Sequence, residues 1–314
     1  MLKYRADIRT ISFVGLYFFF TTFAWLNWHS TDSFLIKVSL ILLLCFLSFV
    51  CTVAVHNTIH CPIFKNKSLN KLFQIVLSFT YGHMVSAFVP GHNFSHHRFT
   101  QGQNDIMRTR KLRFRWNFLN QLLFFNVIGG HIVRDEIRYV NKVRKLKPSW
   151  FKQYLTEAFF VFPTKIGLTI YDPVPGLLLI WVPHFYAAWG IVGTNFWQHD
   201  GTDRNHKYNH SRTFTGKILN FFALNNGYHT AHHMRPGLHW SLLPAWHERF
   251  VAPHCHPNLN RKSLTLYLFQ SCIYPGKRVD YLGNPITLPA KKEADGDWLA
   301  HVKVTHKKSM AAAG

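Results

Sequence analysis

The segment FLIKVSLILLLCFLSFVCTVAVHNTIH, residues 34–60, decides how this chain folds. Its first part, Phe34–Val55, has 22 residues and a single charge, Lys37 near its start. About 20 apolar residues in a helix are enough to cross the roughly 30 Å hydrocarbon core of a bilayer. The segment then ends in His56-x-x-x-His60, two imidazoles about one helical turn apart. It therefore predicts a membrane-spanning helix that carries two metal-ligand residues at one membrane boundary.

Three further apolar stretches have the length and composition of membrane spans, at residues 11–28, 158–171 and 176–197. Together with 34–55 they form two pairs, and neither short linker (residues 29–33 and 171–176) contains lysine or arginine. Because positive charge collects in cytoplasmic loops, these linkers are predicted to lie on the opposite side. The sequence predicts an all-α membrane protein with four transmembrane helices in two hairpins. A cytoplasmic helical cap, residues 56–152 and 198–308, completes a single domain, 1–314.

Two other apolar segments, Leu72–Val89 and Phe118–Val133, contain glutamine and histidine residues. They are predicted to be interfacial or re-entrant helices. If either crossed the membrane alone, the histidine-rich segments would end on opposite faces. Between the hairpins, Arg98–Lys152 holds thirteen Lys or Arg against three acidic residues, which is typical of a cytoplasmic loop.

The composition excludes several classes of protein. The formal net charge of +22, from 36 basic and 14 acidic residues, is compatible with binding to nucleic acid or to a membrane surface. The charge lies in loops between apolar runs, which indicates membrane lipids as partners and no nucleic acid. The five cysteines are odd in number and include no C-x-x-C pair, so they predict neither a disulfide framework nor a zinc finger.

Nine of the 21 histidines occur at short, repeated spacings. His56 and His60 are four residues apart, as are His92 and His96, so each pair would lie on one face of a helix. His97 would point about 100° further round and reach a second metal. The remaining members are His199, with Asn195 four residues before it, and His229, His232 and His233. Because one metal ion takes at most about six ligands, nine imidazoles imply a site for two metals.

Other polar residues are candidates to orient these imidazoles through their ring N–H groups. The candidate acceptors are Asp105, Asp200, Asp203, Asn225, Asn226 and Glu248. Tyr228 and Trp240 flank the third histidine cluster and would either line a substrate channel or pack in the core. His83, His131 and His184 are expected to be hydrogen-bonded residues of apolar helices. His206 and His210 are expected to be solvated loop residues or hydrogen-bond partners of the ligands.

The motifs H-x-x-x-H, H-x-x-x-H-H and H-x-x-H-H, the first of which closes an apolar span, resemble those of the integral-membrane fatty acid desaturase and hydroxylase superfamily. The resemblance extends from the first hairpin to His247. It implies two non-haem iron ions, Fe2+ or Fe3+, held by His56, His60, His92, His96, His97, His199, His229, His232 and His233, with Asn195 binding weakly or through water. Asn57 departs from the family, which usually has an acidic residue there, so a possible anionic partner is missing.

The resemblance implies O2-dependent oxidation of an unactivated C–H bond in a fatty acyl chain, with desaturation as the first expectation. A hydroxylase, an acetylenase or a desaturase-like decarboxylase giving a terminal alkene are alternatives within the superfamily. A zinc membrane hydrolase or a metal transporter are alternatives outside it. The acyl substrate is expected as a free acid, CoA thioester, carrier-protein conjugate or lipid.

No haem, flavin or iron–sulfur segment is recognisable in the sequence, so a separate electron donor is expected, such as ferredoxin or cytochrome b5 with its reductase. The expected location is a bacterial inner membrane or the endoplasmic reticulum, with the metal site facing the cytoplasm.

Overall fold

The computed structural model describes residues 1–288, 290 and 293–302, and these residues are mostly helical. The last part of the predicted cap, residues 303–308, lies outside the described residues. The first eight helices are α1 (Asp7–Leu26), α2 (Phe34–His60), α3 (Lys67–Tyr81), α4 (Val85–Phe99), α5 (Asn117–Leu122), α6 (Phe124–Val143), α7 (Pro148–Tyr171) and α8 (Pro173–His199). They are followed by α9 (Lys217–Phe222), α10 (His229–Met234), α11 (Leu243–Phe250) and α12 (Leu264–Ile273).

Shorter elements connect these helices. There are 3-10 turns at Thr109–Lys111, Trp240–Leu242, Pro257–Leu259 and Trp298–His301. The strands β1 (Thr213–Phe214) and β2 (Asn260–Arg261) pair in parallel, with Thr213 opposite Asn260. The helices α4, α8 and α12 contain π-helical segments at Pro90–His96, Gly176–Trp181 and Phe269–Ile273.

Among the described residues, three helices, α1, α2 and α8, are long and apolar enough to cross a membrane. They correspond to the predicted spans 11–28, 34–55 and 176–197, with shifted ends. The hydroxyl of Ser33 caps α2 by accepting a hydrogen bond from the backbone N–H of Ile36. At its other end α2 continues without a break to His60. Both histidines of the first motif therefore belong to α2 itself, and this helix fixes their relative positions.

The fourth predicted span, residues 158–171, forms the second half of α7. This helix is not among the three apolar ones, and it carries Glu157 and Lys165, whose side chains are buried inside the protein. The structure does not confirm the four-span layout or the cytoplasmic orientation, and both stay predictions.

Helices α3 and α4 meet at a bend of 86°. Gly82 makes the bend possible because its φ of +75° is a left-handed conformation, and because a side chain at this position would overlap the ring of His184. Such a pair of helices is either one broken span or a re-entrant loop. The sequence of Leu72–Val89 predicts an interfacial or re-entrant helix.

One continuous core joins the apolar helices to the polar half of the molecule. Helix α2 packs against both α1 and α8. The same cluster of buried side chains extends from Val50 of α2 and Phe13 of α1 to Tyr139 of α6 and Trp298 near the C-terminus. The histidine motifs lie between these two parts of the core. They are therefore held by packing against the apolar helices on one side and against the polar half of the molecule on the other.

Candidate metal centre

Two groups of histidine side chains meet where α2, α4, α8 and α10 converge. Within each group, the potential ligand nitrogens all lie within 4.8 Å of one another. The five-histidine group consists of His56, His60, His92, His97 and His232, and the four-histidine group of His96, His199, His229 and His233. The structure therefore brings together all nine histidines that the sequence singles out.

The second motif divides between the two groups in an unexpected way. The α-helical spacing predicts that His92 and His96 share one metal and that His97 reaches the other. In the structure this segment is π-helical, and the backbone N–H of His97 bonds to the carbonyl of His92. The wider turn places His92 and His97 on one face, with their Nε2 atoms 3.0 Å apart. The predicted pairing was wrong, because His96 points to the four-histidine group.

Helix α10 also serves both groups, but with ordinary α-helical spacing. His229 and His233, one turn apart, approach His199, with Nε2–Nε2 distances of 2.9 and 3.3 Å. His232 projects to the other group, where its Nε2 lies 3.1 Å from that of His97. A helix of six residues thus contributes potential ligand atoms to both groups.

The spacing of these nitrogens fits metal ions. A neutral imidazole has a single N–H, yet Nε2 of His199 faces the Nε2 atoms of both His229 and His233, so hydrogen bonds alone do not account for the cluster. Two nitrogens bound to one ion at about 2.1 Å and at right angles would be about 3 Å apart, which is the spacing seen. The Nε2 of His60 is buried without a hydrogen-bond partner. Both observations indicate lone pairs that converge on a cation.

The environment also keeps ligand imidazoles uncharged. Burial, followed by the neighbouring imidazoles, holds the pKa of His229, His232 and His233 well below its ordinary value. Burial acts in this direction because it disfavours the charged form of the ring. Since a histidine must be neutral to bind a metal, these three residues are ready to do so near neutral pH.

Two members of the four-histidine group are oriented by hydrogen bonds. Nδ1 of His96 lies 3.0 Å from the carboxylate of Asp105, and both side chains are fully buried. Nδ1 of His199 lies 3.1 Å from the backbone carbonyl of His210. Asp105 was among the predicted acceptors, whereas the carbonyl of His210 has no signature in sequence. Each contact turns the Nε2 atom of its ring towards the group.

In the five-histidine group, Asn57 takes the corresponding role. Its Oδ1 lies 3.1 Å from Nδ1 of His56, and its Nδ2 donates to the backbone carbonyl of Leu224 at 3.2 Å. The sequence predicts that a possible anionic partner is missing at this position. The structure shows a neutral partner in its place, because the amide of Asn57 contacts the ring of His56.

The other predicted acceptors have different contacts. Asp200 pairs with Arg278, with Oδ2 and Nε 2.9 Å apart, and Asn225 donates to the backbone carbonyl of Trp240. No described hydrogen bond joins Asp203, Asn226 or Glu248 to one of the nine histidines. His83 pairs with Glu136 at 2.9 Å and His184 with Tyr17 at 2.8 Å. This confirms His184 as a hydrogen-bonded residue of an apolar helix, whereas His83 is hydrogen-bonded but lies in the bend between α3 and α4.

A cavity of about 580 Å3 adjoins the histidine groups. His56, His92, His229 and Asn195 belong to its wall. Much of the remaining wall is apolar and includes Phe88, Ile106, Met107, Phe125, Ile191 and Val192. Tyr228 and Trp240 pack in the core instead of lining this cavity. A space of this size and character suits a hydrocarbon chain.

The amide of Asn195 is fixed between this cavity and the protein backbone. Its Nδ2 donates to the carbonyl of Met107 at 3.0 Å, and the side chain is 5% exposed. The structure places Asn195 on α8 one turn before His199.

A comparison with known families is consistent with this site. The sequence matches the family described as fatty acid desaturase over residues 32–262, a region that contains all nine histidines. A comparison with curated proteins finds no match.

Proposed function

The chain belongs to the fatty acid desaturase family, whose members are oxidoreductases, and from this premise we propose that it oxidises an unactivated C–H bond of a fatty acyl chain with O2. The proposed reaction is desaturation. The observation that carries the proposal is the position of two all-histidine groups at a largely apolar cavity. Imidazole ligands suit iron, and such a cavity suits an alkyl chain.

The resident metals in this proposal are two non-haem iron ions. The five-histidine group would hold one, and the four-histidine group the other, with Asn195 binding weakly or through water. Bound there, the two ions would supply the redox chemistry by which O2 oxidises a C–H bond. Zinc usually takes four protein ligands in a closed site, so a group of five imidazoles favours iron.

The protein's own residues would position the substrate and exclude water. Ile191 and Val192 of α8 and Phe88 of α4 share the cavity wall with His56 and His92. An alkyl chain against these side chains would lie within reach of the metal ligands. Water would be excluded from the same volume, which limits side reactions of an oxidising centre.

The electron balance of the proposed reaction requires a partner. Two hydrogens leave neighbouring carbons as the double bond forms, and O2 takes up these, two further protons and two electrons to give two waters. We propose that the two electrons come from a separate carrier such as ferredoxin or cytochrome b5 with its reductase. Exposed cations in the basic segment, such as Arg144 and Lys145, would attract an acidic carrier.

We further propose an integral membrane protein of one domain, with spans at α1, α2, residues 158–171 and α8. The excess of lysine and arginine in Arg98–Lys152 supports a cytoplasmic position for the histidine groups. The membrane would be a bacterial inner membrane or the endoplasmic reticulum.

The test combines metal analysis with product identification. The purified wild-type protein should contain two irons per chain, and cells expressing it should form a new double bond in supplied fatty acids. The variant His233→Ala should form no product, whereas His206→Ala, in an exposed loop, should behave as wild type. If the product is instead hydroxylated, acetylenic or a terminal alkene, the metal centre catalyses that reaction and not desaturation. Zinc without iron, together with no oxidised product, would overturn the proposal.

A further inference from the structure

The cavity has a second polar region, away from the histidine groups. Lys165 of α7, Trp181 and His184 of α8, and Gly82 at the bend between α3 and α4 all line it. The Nζ atom of Lys165 donates to the carbonyl of Gly82 at 3.2 Å and lies 4.0 Å from the centre of the Trp181 ring. These residues form what we call the Lys165 end of the cavity.

Helix α8 gives the distance between the two regions. His184, Ala188, Ile191 and Asn195 all line the cavity, so one face of the helix follows it. The eleven residue steps from His184 to Asn195 rise about 16 Å at 1.5 Å per residue. The cavity therefore extends for several helical turns from the Lys165 end to the metal ligands, and between these ends it is largely apolar.

Lys165 is an unusual residue for such a place. Its side chain is 6% exposed, and its three N–H donors have one described acceptor, the carbonyl of Gly82. A buried ammonium group is costly unless an anion accompanies it, so a buried lysine that lines a largely apolar cavity is a candidate for ligand binding.

Carboxylates on the elements around this region are already engaged, including Asp172 at the end of α7, which pairs with His29. Glu136, which lines the same cavity, accepts hydrogen bonds from His83 at 2.9 Å and from Tyr154 at 2.8 Å. Glu157, two turns before Lys165 on α7, accepts from the backbone N–H and the hydroxyl of Ser86. None of the ion pairs among the described residues includes Lys165. The charge of the ammonium group is thus left for a ligand to balance.

We propose that the Lys165 end binds the carboxylate of a free fatty acid, whose alkyl chain then follows α8 to the histidine groups. This inference rests on the proposed function and names the substrate class. The ammonium group would neutralise the carboxylate, while the apolar wall would bury the chain. A CoA thioester or a carrier protein does not fit at this end, because Lys165 is buried and the bend at Gly82 is packed against His184.

The proposal has a consequence for the position of the reaction. If the carboxylate is fixed at Lys165, the distance to the metal ligands sets which carbon is oxidised. Fatty acids of different lengths should then acquire the double bond at the same position counted from the carboxyl group. A position that is constant when counted from the methyl end would overturn the proposal, since it would mean that the opposite end of the chain is fixed.

Binding provides the second test and needs no turnover. The wild-type protein in lipid nanodiscs should bind a free fatty acid at least tenfold more tightly than its methyl ester. Lys165→Met should reduce this preference to less than twofold and leave ester binding unchanged, and Lys165→Arg should retain it. If Lys165→Met keeps the preference for the free acid, or if the wild type shows no such preference, then Lys165 acts only as a partner of the Gly82 carbonyl.

A matched control is available in the same molecule. Like Lys165, Lys37 lies over a tryptophan ring, with Nζ 4.8 Å from the centre of Trp28, but it does not line the cavity. Lys37→Met should leave the preference for the acid intact, and its loss in this variant would contradict the proposal.

Failure of the proposed function looks different, because the wild type would then neither contain iron nor oxidise any acyl compound. A wild type that oxidises acyl chains without preferring the acid refutes this inference alone.

Discussion

The two histidine groups have the same ligand chemistry but different support. In the four-histidine group, His96 is paired with Asp105, a fully buried carboxylate that also accepts from the backbone N–H groups of Gln101 and Met107 at 2.7 and 2.8 Å. In the five-histidine group, the equivalent contact of His56 is made by the neutral amide of Asn57. The four-histidine group therefore has a negative charge beside it, from Asp105. The contact of His56 with Asn57 gives the five-histidine group no such charge.

This difference bears on how tightly each group would hold a metal. Burial alone would raise the pKa of Asp105, but the His96 imidazole and the two backbone N–H groups outweigh burial and hold that pKa below its ordinary value. Asp105 is therefore ionised, and an anionic acceptor makes its histidine a stronger donor to a metal. The five-histidine group has one more imidazole in place of that charge. We expect two unequal metal sites, and the following experiments test how unequal they are.

The largest effect is expected from removing one ligand of each group. His60→Ala and His233→Ala should each reduce the iron content from two ions towards one and lower activity by at least ~100-fold, since loss of a ligand exceeds the 10–100-fold effect of losing its hydrogen-bond partner. Metal analysis of the purified variants measures the iron content, and product formation measures the activity. Full activity with two irons in either variant would remove that residue from the ligand set.

A smaller and one-sided effect is expected from Asp105→Asn. The side chain keeps its size but loses its charge, so metal affinity of the four-histidine group should fall by about 10–100-fold while the five-histidine group is unaffected. Titration of the metal-free protein with Fe2+, followed by Mössbauer spectroscopy, separates the two sites. An equal loss at both sites would show that the charge of Asp105 acts on the centre as a whole.

The converse change at Asn57 should bring the two groups closer together. Asn57→Asp supplies the missing charge next to His56, and metal affinity of the five-histidine group should rise, by up to about tenfold. Asn57→Ala removes the acceptor and should lower it by a similar factor. The same titration measures both variants. If Asn57→Asp and Asn57→Ala change the metal affinity in the same direction, the contact of Asn57 with Leu224 matters more than its contact with His56.

The smallest effect is expected outside both groups. His254 is exposed and stacks on Tyr208, away from the nine histidines. His254→Ala should change the free energy of unfolding by no more than about 0.5 kcal/mol and leave the iron content at two. Thermal unfolding and metal analysis provide the check, and a loss of iron would show that the cluster extends further than its ligand atoms indicate.

Part of this site follows from sequence alone, and part does not. The nine histidines, Asp105 and three of the apolar helices are visible as spacings and runs of residues. The pairing within the second motif is not, because it depends on the π-helical winding of residues 90–96. Pro90 has no N–H to donate, so the α-helical bond pattern is interrupted where this segment begins. The role of Asn57 is also hidden, since an amide gives no sign in sequence of which imidazole it contacts.

The sequence by itself determined the long apolar helices and the candidate metal ligands, because both depend on residues close together in the chain. Only the tertiary structure decided how nine imidazoles divide into five and four, and that Lys165 shares a cavity with them. These features depend on how α2, α4, α7, α8 and α10 pack together and on the π-helical winding within α4. Packing sets the distances between side chains that are far apart in sequence, and no local pattern of residues encodes those distances.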